Sequence, residues 1–124
     1  MRALLIALLA VGIGLFADAQ EVDYSCGQPE TGACVVQGIA AGCDTEERFD
    51  ELGAIILEGG IVAFGRALEG YERAGLCRSF ERGEKVWVMD SNPFRAPLLV
   101  RLRVDGEQMA FWTNATVIWP PLDL

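Results

Sequence analysis

The chain has 124 residues, with 18 acidic against 10 basic side chains, no histidine, and a net charge of −8 at neutral pH. Such a balance argues against a nucleic acid or an anionic membrane as partner, because both require a basic surface. The missing histidine removes the commonest general base and every Ser-His or Cys-His nucleophile.

Residues 1–19 read as a signal peptide. Arg2 gives a positive start, Ala3 to Phe16 is an apolar run, and Ala17-Asp18-Ala19 has the small-x-small form of a cleavage site. The run is shorter than the roughly 20 residues that span a bilayer, so no stable membrane insertion is expected. The expectation is an exported, periplasmic or secreted bacterial protein. All four cysteines, Cys26, Cys34, Cys43 and Cys77, follow that segment. An even count in a short exported chain reads as disulfides. Metal binding would need paired Cys or Cys/His spacing, so neither a metal nor any other cofactor is expected.

Charge is divided unevenly along the rest. Residues 20–76 carry eleven acids and three bases, whereas residues 77–124 carry six of each. A solvated acidic face is preferred over a surface aimed at a basic partner.

Residues 20–43 show little periodicity and read as a loop-rich segment ordered by cross-links. Asp44 and Glu47 then form a D-x-x-E capping pattern ahead of Phe49, Leu52, Ile55 and Ile56, which recur at helical spacing. Gly59-Gly60 interrupts this stripe, Phe64, Ala67, Leu68 and Tyr71 resume it, and Gly75 ends it. Two helices about a glycine hinge predict an antiparallel hairpin, with one bent helix as the rival. A hairpin would bring Cys43 to Cys77 and leave Cys26–Cys34 as a local loop; the other pairings stay open.

Beyond Cys77 the pattern turns to period two. Lys85–Met89 is the first strand, with Val86 and Val88 on one face and Trp87 and Met89 on the other. Ser91–Pro97 holds two prolines and reads as a loop. Leu98, Val100, Leu102 and Val104 share a face, with Leu99, Arg101 and Arg103 opposite. Asp105-Gly106 is a strong hairpin signal, so Glu107–Thr113 should pair back, followed by a short final strand at Val117–Trp119.

Phe80, Gly83, Val86 and Val88, then Val100 to Gly106, Phe111-Trp112 and Val117-Ile118 give a spacing that resembles bacterial SH3-like modules of small exported proteins. Ala110 stands where such modules usually have glycine. The resemblance covers roughly residues 77–119 and implies a small closed barrel that binds peptides, cell-wall fragments or another protein without catalysis. The expected fold is therefore α+β: a disulfide-linked helical hairpin (within 20–76) packed on an SH3-like β-barrel (77–124), folding as one unit. The hairpin's apolar stripe needs a cover, so it is expected to dock over Trp87, with Arg101 and Arg103 pairing to Glu58 or Glu69. The ligand-contact candidates are Phe94, Arg95 and Trp119, in a loop and near the chain end, and then Trp87, Arg101 and Arg103. A small inhibitor or immunity-type protein against an exported enzyme is the alternative. Acids gathered on one exposed patch would favour it.

Overall fold

The structure is a computed structural model, and it describes residues 26–118. The expected signal peptide and Trp119 lie outside the described residues. Six strands form one antiparallel sheet: β1 (Cys34–Val35), β2 (Ala40–Cys43), β3 (Cys77–Phe80), β4 (Lys85–Asn92), β5 (Leu99–Val104) and β6 (Ala110–Asn114). Their spatial order is β1-β4-β5-β6-β2-β3. A helical element, α1 (Glu46–Arg73), lies between β2 and β3, and a 3-10 turn covers Ala115–Val117.

This architecture corrects the expected one. The small closed barrel confined to residues 77–119 is replaced by a six-stranded antiparallel sheet, in which strands from residues 34–43 are members. The sequence hid β1 and β2 because they are short and built from small residues. β2 reads Ala-Ala-Gly-Cys, and the glycine is sterically required. A Cβ on Gly42 would lie 2.6 Å from the Phe80 ring and 3.1 Å from the Trp112 carbonyl oxygen. Close backbone approach, not alternation, makes this segment a strand.

The two separate helices expected are likewise corrected to one helical element of 28 residues, which bends back on itself at Gly60. Gly60 is its one non-helical residue, with φ 84° and ψ −176°, a conformation that costs glycine little and other residues much. The kink is sharp. In a straight helix residues 51 and 71 would stand about 30 Å apart at 1.5 Å per residue. Here the Tyr71 hydroxyl donates to Glu51 at 3.4 Å, and the Arg48 guanidinium lies 5.7 Å from the Tyr71 ring centre. The cap also differs from expectation. Thr45, not Asp44, is the N-cap, and its hydroxyl accepts from the Arg48 amide at 3.1 Å. Asp44 instead accepts from the Arg48 side chain at 2.8 Å.

The sheet has an apolar cluster on each face. On the first, Phe80, Val86, Val100, Leu102 and Phe111 pack with Cys34, Val36 and the 3-10 segment through Ala115, Val117 and Ile118. On the second, α1 covers Cys43 and Cys77 with Leu52, flanked by Phe49, Phe64, Leu68 and Tyr71. Expected burial of Ile56 does not occur. With Leu57, Ile61 and Val62 it stays exposed around the kink, beyond the reach of the sheet.

Two disulfides join Cys26 to Cys34 and Cys43 to Cys77. Cys43 and Cys77 are also register partners in β2 and β3, with Cα atoms 3.9 Å apart. Their bridge closes the excursion through α1, a separation of 34 residues against 8 for the other. Chain-entropy arguments give the larger ring the larger effect. A Cys43→Ser/Cys77→Ser variant is expected to lose about 3–4 kcal/mol in urea denaturation, and Cys26→Ser/Cys34→Ser about 2–3 kcal/mol.

Candidate functional site

The β4–β5–β6 meander places the sequence-predicted residues. Its register pairs Trp87 with Arg103 and Asp90 with Arg101 across β4 and β5. Across β5 and β6 it pairs Arg101 with Trp112 and Arg103 with Ala110. Because cross-strand partners share a face, Trp87, Arg103, Arg101 and Trp112 stand together on the face opposite Val86, Leu102 and Phe111. All four are half-buried. Trp112 was not taken as a contact residue in the sequence reading, although its place one residue after core-facing Phe111 puts it on this face by alternation.

The Trp87 indole N–H donates to Asp105 at 3.0 Å, across the β5–β6 hairpin turn. Arg103 donates from Nη1 to the Glu107 carbonyl at 3.0 Å. Among the described residues neither Arg101 nor Arg103 has an ion-pair partner, and Arg101 Nε is a buried donor with no hydrogen-bond acceptor. The expected pairing with Glu58 or Glu69 is absent; Glu69 meets Arg73 at 3.5 Å instead. The expected docking of helices over Trp87 is also corrected. α1 packs on Cys43 and Cys77 of β2 and β3, because the bridge ties its two ends there. Leu99, on the same face as Arg101 and Arg103, is buried at the end where Asn92 and Arg95 bond to the first turns of α1.

A β-bulge interrupts the β4–β5 register between Val88 and Asp90. It leaves Met89 exposed beside Trp87. The segment that begins at Cys26 closes the other side. Gly27 accepts from the Val88 amide at 3.0 Å, and the Gln28 side chain donates to the Val88 carbonyl at 3.3 Å. Between them lies a hollow of about 290 Å³ whose lining includes Pro29, Trp87, Met89 and Arg103. A wider groove of about 610 Å³ runs along β3. Its charged groups pair with one another: Arg78 with Glu84 at 2.8 Å and Glu107 at 2.6 Å, and Glu72 with the Ser79 hydroxyl at 2.8 Å. Arg78 also donates to the Ser79 carbonyl at 3.0 Å. A charged side chain folded over an edge strand is a common guard against strand addition.

Phe94 is 75% exposed in the loop between β4 and β5. Its neighbour Arg95 is not free. Arg95 donates to Asp50 at 2.6 and 3.2 Å and to Glu46 at 3.1 Å, and Asn92 donates to Glu46 at 2.9 Å. Those bonds, to Asp50 first and then Glu46, raise the Arg95 pKa above its ordinary value. Arg95 therefore ties its loop to the first turns of α1.

Among the described residues no helix is long and apolar enough to cross a membrane. Comparison with protein-family models, with curated proteins and with solved structures returns no match for this chain.

Arg95 has a bidentate bond to Asp50 but remains about one-third exposed, so the tie should be modest and salt-sensitive. Arg95→Ala is expected to lower stability by about 1 kcal/mol in urea denaturation at low salt, with a smaller loss in 1 M NaCl.

Proposed function

We propose that this protein is a non-catalytic exported binding module, and that the outer face of β4, β5 and β6 is its contact surface. The observation that carries the reading is the state of Arg101 and Arg103. Two half-buried arginines stand without ion-pair partners among the described residues, between two tryptophans, in a chain rich in acids. Arginine and tryptophan are the side chains most often found at energetic centres of recognition surfaces. The ligand is a peptide, a cell-wall fragment or a protein, as in the bacterial SH3-like modules that residues 77–119 resemble. Two disulfides and the lack of a membrane-crossing helix among the described residues are compatible with an extracellular or periplasmic place.

The acids do not favour the inhibitor reading. Asp44 holds Arg48, Glu46 and Asp50 hold Arg95, Glu51 accepts from Tyr71, Glu69 meets Arg73, and Glu72 accepts from Ser79. Six of the nine acids between residues 26 and 76 thus have partners within the fold.

The test is sedimentation of the oxidised protein with purified peptidoglycan, run beside a pull-down from envelope extract. Wild type is expected to sediment or to retain a peptide or protein ligand. Trp87→Ala combined with Arg101→Gln is expected to release it at least tenfold, with the urea midpoint as the folding control. Retention that ignores both substitutions, or recovery of one stoichiometric enzyme through α1, would overturn the proposal.

A further inference from the structure

The hollow beside Trp87 has a chemistry of its own. Its size, about 290 Å³, is at the small end of the roughly 300–1,000 Å³ range of ligand pockets. It suits one residue or one ring, not a length of chain. Its lining is mainly apolar, with Pro29, Trp87, Val88 and Met89 beside Gly27 and Gln28. The charged group among them is Arg103. The nearest acid along the chain, Asp105, is bonded to the Trp87 indole. Arg103 makes a single hydrogen bond among the described residues, from Nη1 to a backbone carbonyl, so Nε and Nη2 have no acceptor there.

We infer that this hollow holds a ligand end in which a carboxylate directly adjoins one apolar group, with Arg103 gripping the carboxylate. The inference rests on the binding-module reading and narrows its ligand. Guanidinium and carboxylate match in planarity and spacing and form paired hydrogen bonds. One cation set against apolar walls suits a singly charged group. A phosphate carries up to two charges and needs more donors than the hollow supplies. The apolar neighbour meets Trp87, Pro29 and Met89, where aromatic and thioether surfaces adapt to varied shapes.

The site is also preformed. The Cys26–Cys34 bridge closes the wall segment on itself, and that wall is bonded to β4 through both polar groups of the Val88 backbone. A wall already fixed before binding lowers the ordering cost of a small ligand.

Two sources share this chemistry: the C-terminal residue of a peptide and a carboxylated sugar. The experiment titrates the full oxidised protein with N-acetyl-Ala-Ala-Leu, with its C-terminal amide, and with methyl glucuronoside. Displacement of the Trp87 indole N–H signal is followed by NMR. The free acid is expected to bind at least tenfold more tightly than the amide. Arg103→Gln should abolish that preference, whereas Arg103→Lys should restore part of it. Glucuronoside binding with the same dependence on Arg103 would support the carboxylate and name a sugar as its source. Equal binding of acid and amide, no binding of any probe, or an acid affinity unchanged in Arg103→Gln would overturn the inference. Peptidoglycan sedimentation separates the two readings. Retention that depends on Trp87 but not on Arg103 would leave the module and remove the carboxylate site, and no retention on peptidoglycan together with no ligand in the pull-down would remove both.

Discussion

The Cys43–Cys77 bridge decides where everything else can go. It joins two residues that are already opposite each other in neighbouring strands, so it adds little to the geometry of the sheet. What it constrains is the 28-residue helical excursion between them. Both ends of α1 are pinned to the same point of the sheet. The chain must therefore turn back midway, and Gly60 is the residue that permits it. With Leu52 packed on the two cysteines, the apolar stripe of α1 has a fixed landing place on β2 and β3.

That landing place divides the outer face of the sheet. The part near β2 and β3 belongs to α1, and so does the Leu99 end, where Arg95 and Asn92 reach Glu46 from the β4–β5 loop. The rest of the meander remains outside the helix. Two restraints, one covalent and one ionic, fix α1 over β2, β3 and the adjoining end of the meander, and Trp87, Arg101 and Arg103 lie beyond them. How much of this face stays outside the helix thus depends on a packing decision made elsewhere in the chain.

How much of this the sequence made legible follows from the kind of signal each element carries. The Asp105-Gly106 turn and the alternation of β4 and β5 were readable because side-chain period alone places Trp87, Arg101 and Arg103 on one face. Disulfides were readable from an even cysteine count in an exported chain. By contrast, β1 and β2 were illegible because two and four residues cannot show a period, and Gly42 reveals its role only when Phe80 and the Trp112 carbonyl close around it. The docking position of α1 was misjudged for a related reason. An amphipathic stripe states that a helix must be covered, not by what, and the covering face was set by the bridge. Arg95 looked like a loop residue free for a ligand, because ion pairs to residues more than forty positions earlier leave no local mark. Trp112 enters the sequence reading as half of the Phe111-Trp112 pair and not as a contact residue, although the same alternation that buries one turns the other outward.

The fates of the arginines complete the division between structure and recognition. Arg48, Arg73, Arg78 and Arg95 each meet at least one carboxylate. With 18 acids to 10 bases, a carboxylate is rarely far from any guanidinium. An exposed arginine without a partner, such as Arg66 or Arg82, is simply hydrated. Arg101 and Arg103 are different because they are half-buried. They have surrendered part of their hydration without gaining an ion pair among the described residues, and Arg101 Nε has no acceptor at all there. Partial burial of an unpaired charge is unfavourable in the free protein. Asp90 and Asp105 are close along the strands, yet Asp105 is engaged by Trp87 and no bond joins Asp90 to Arg101, its register partner. A carboxylate in the hollow beside Trp87 would meet that deficit at Arg103, the one of the two that lines it. On the proposed reading, the same charge that costs stability in isolation becomes the basis for preferring an acidic ligand over a neutral one.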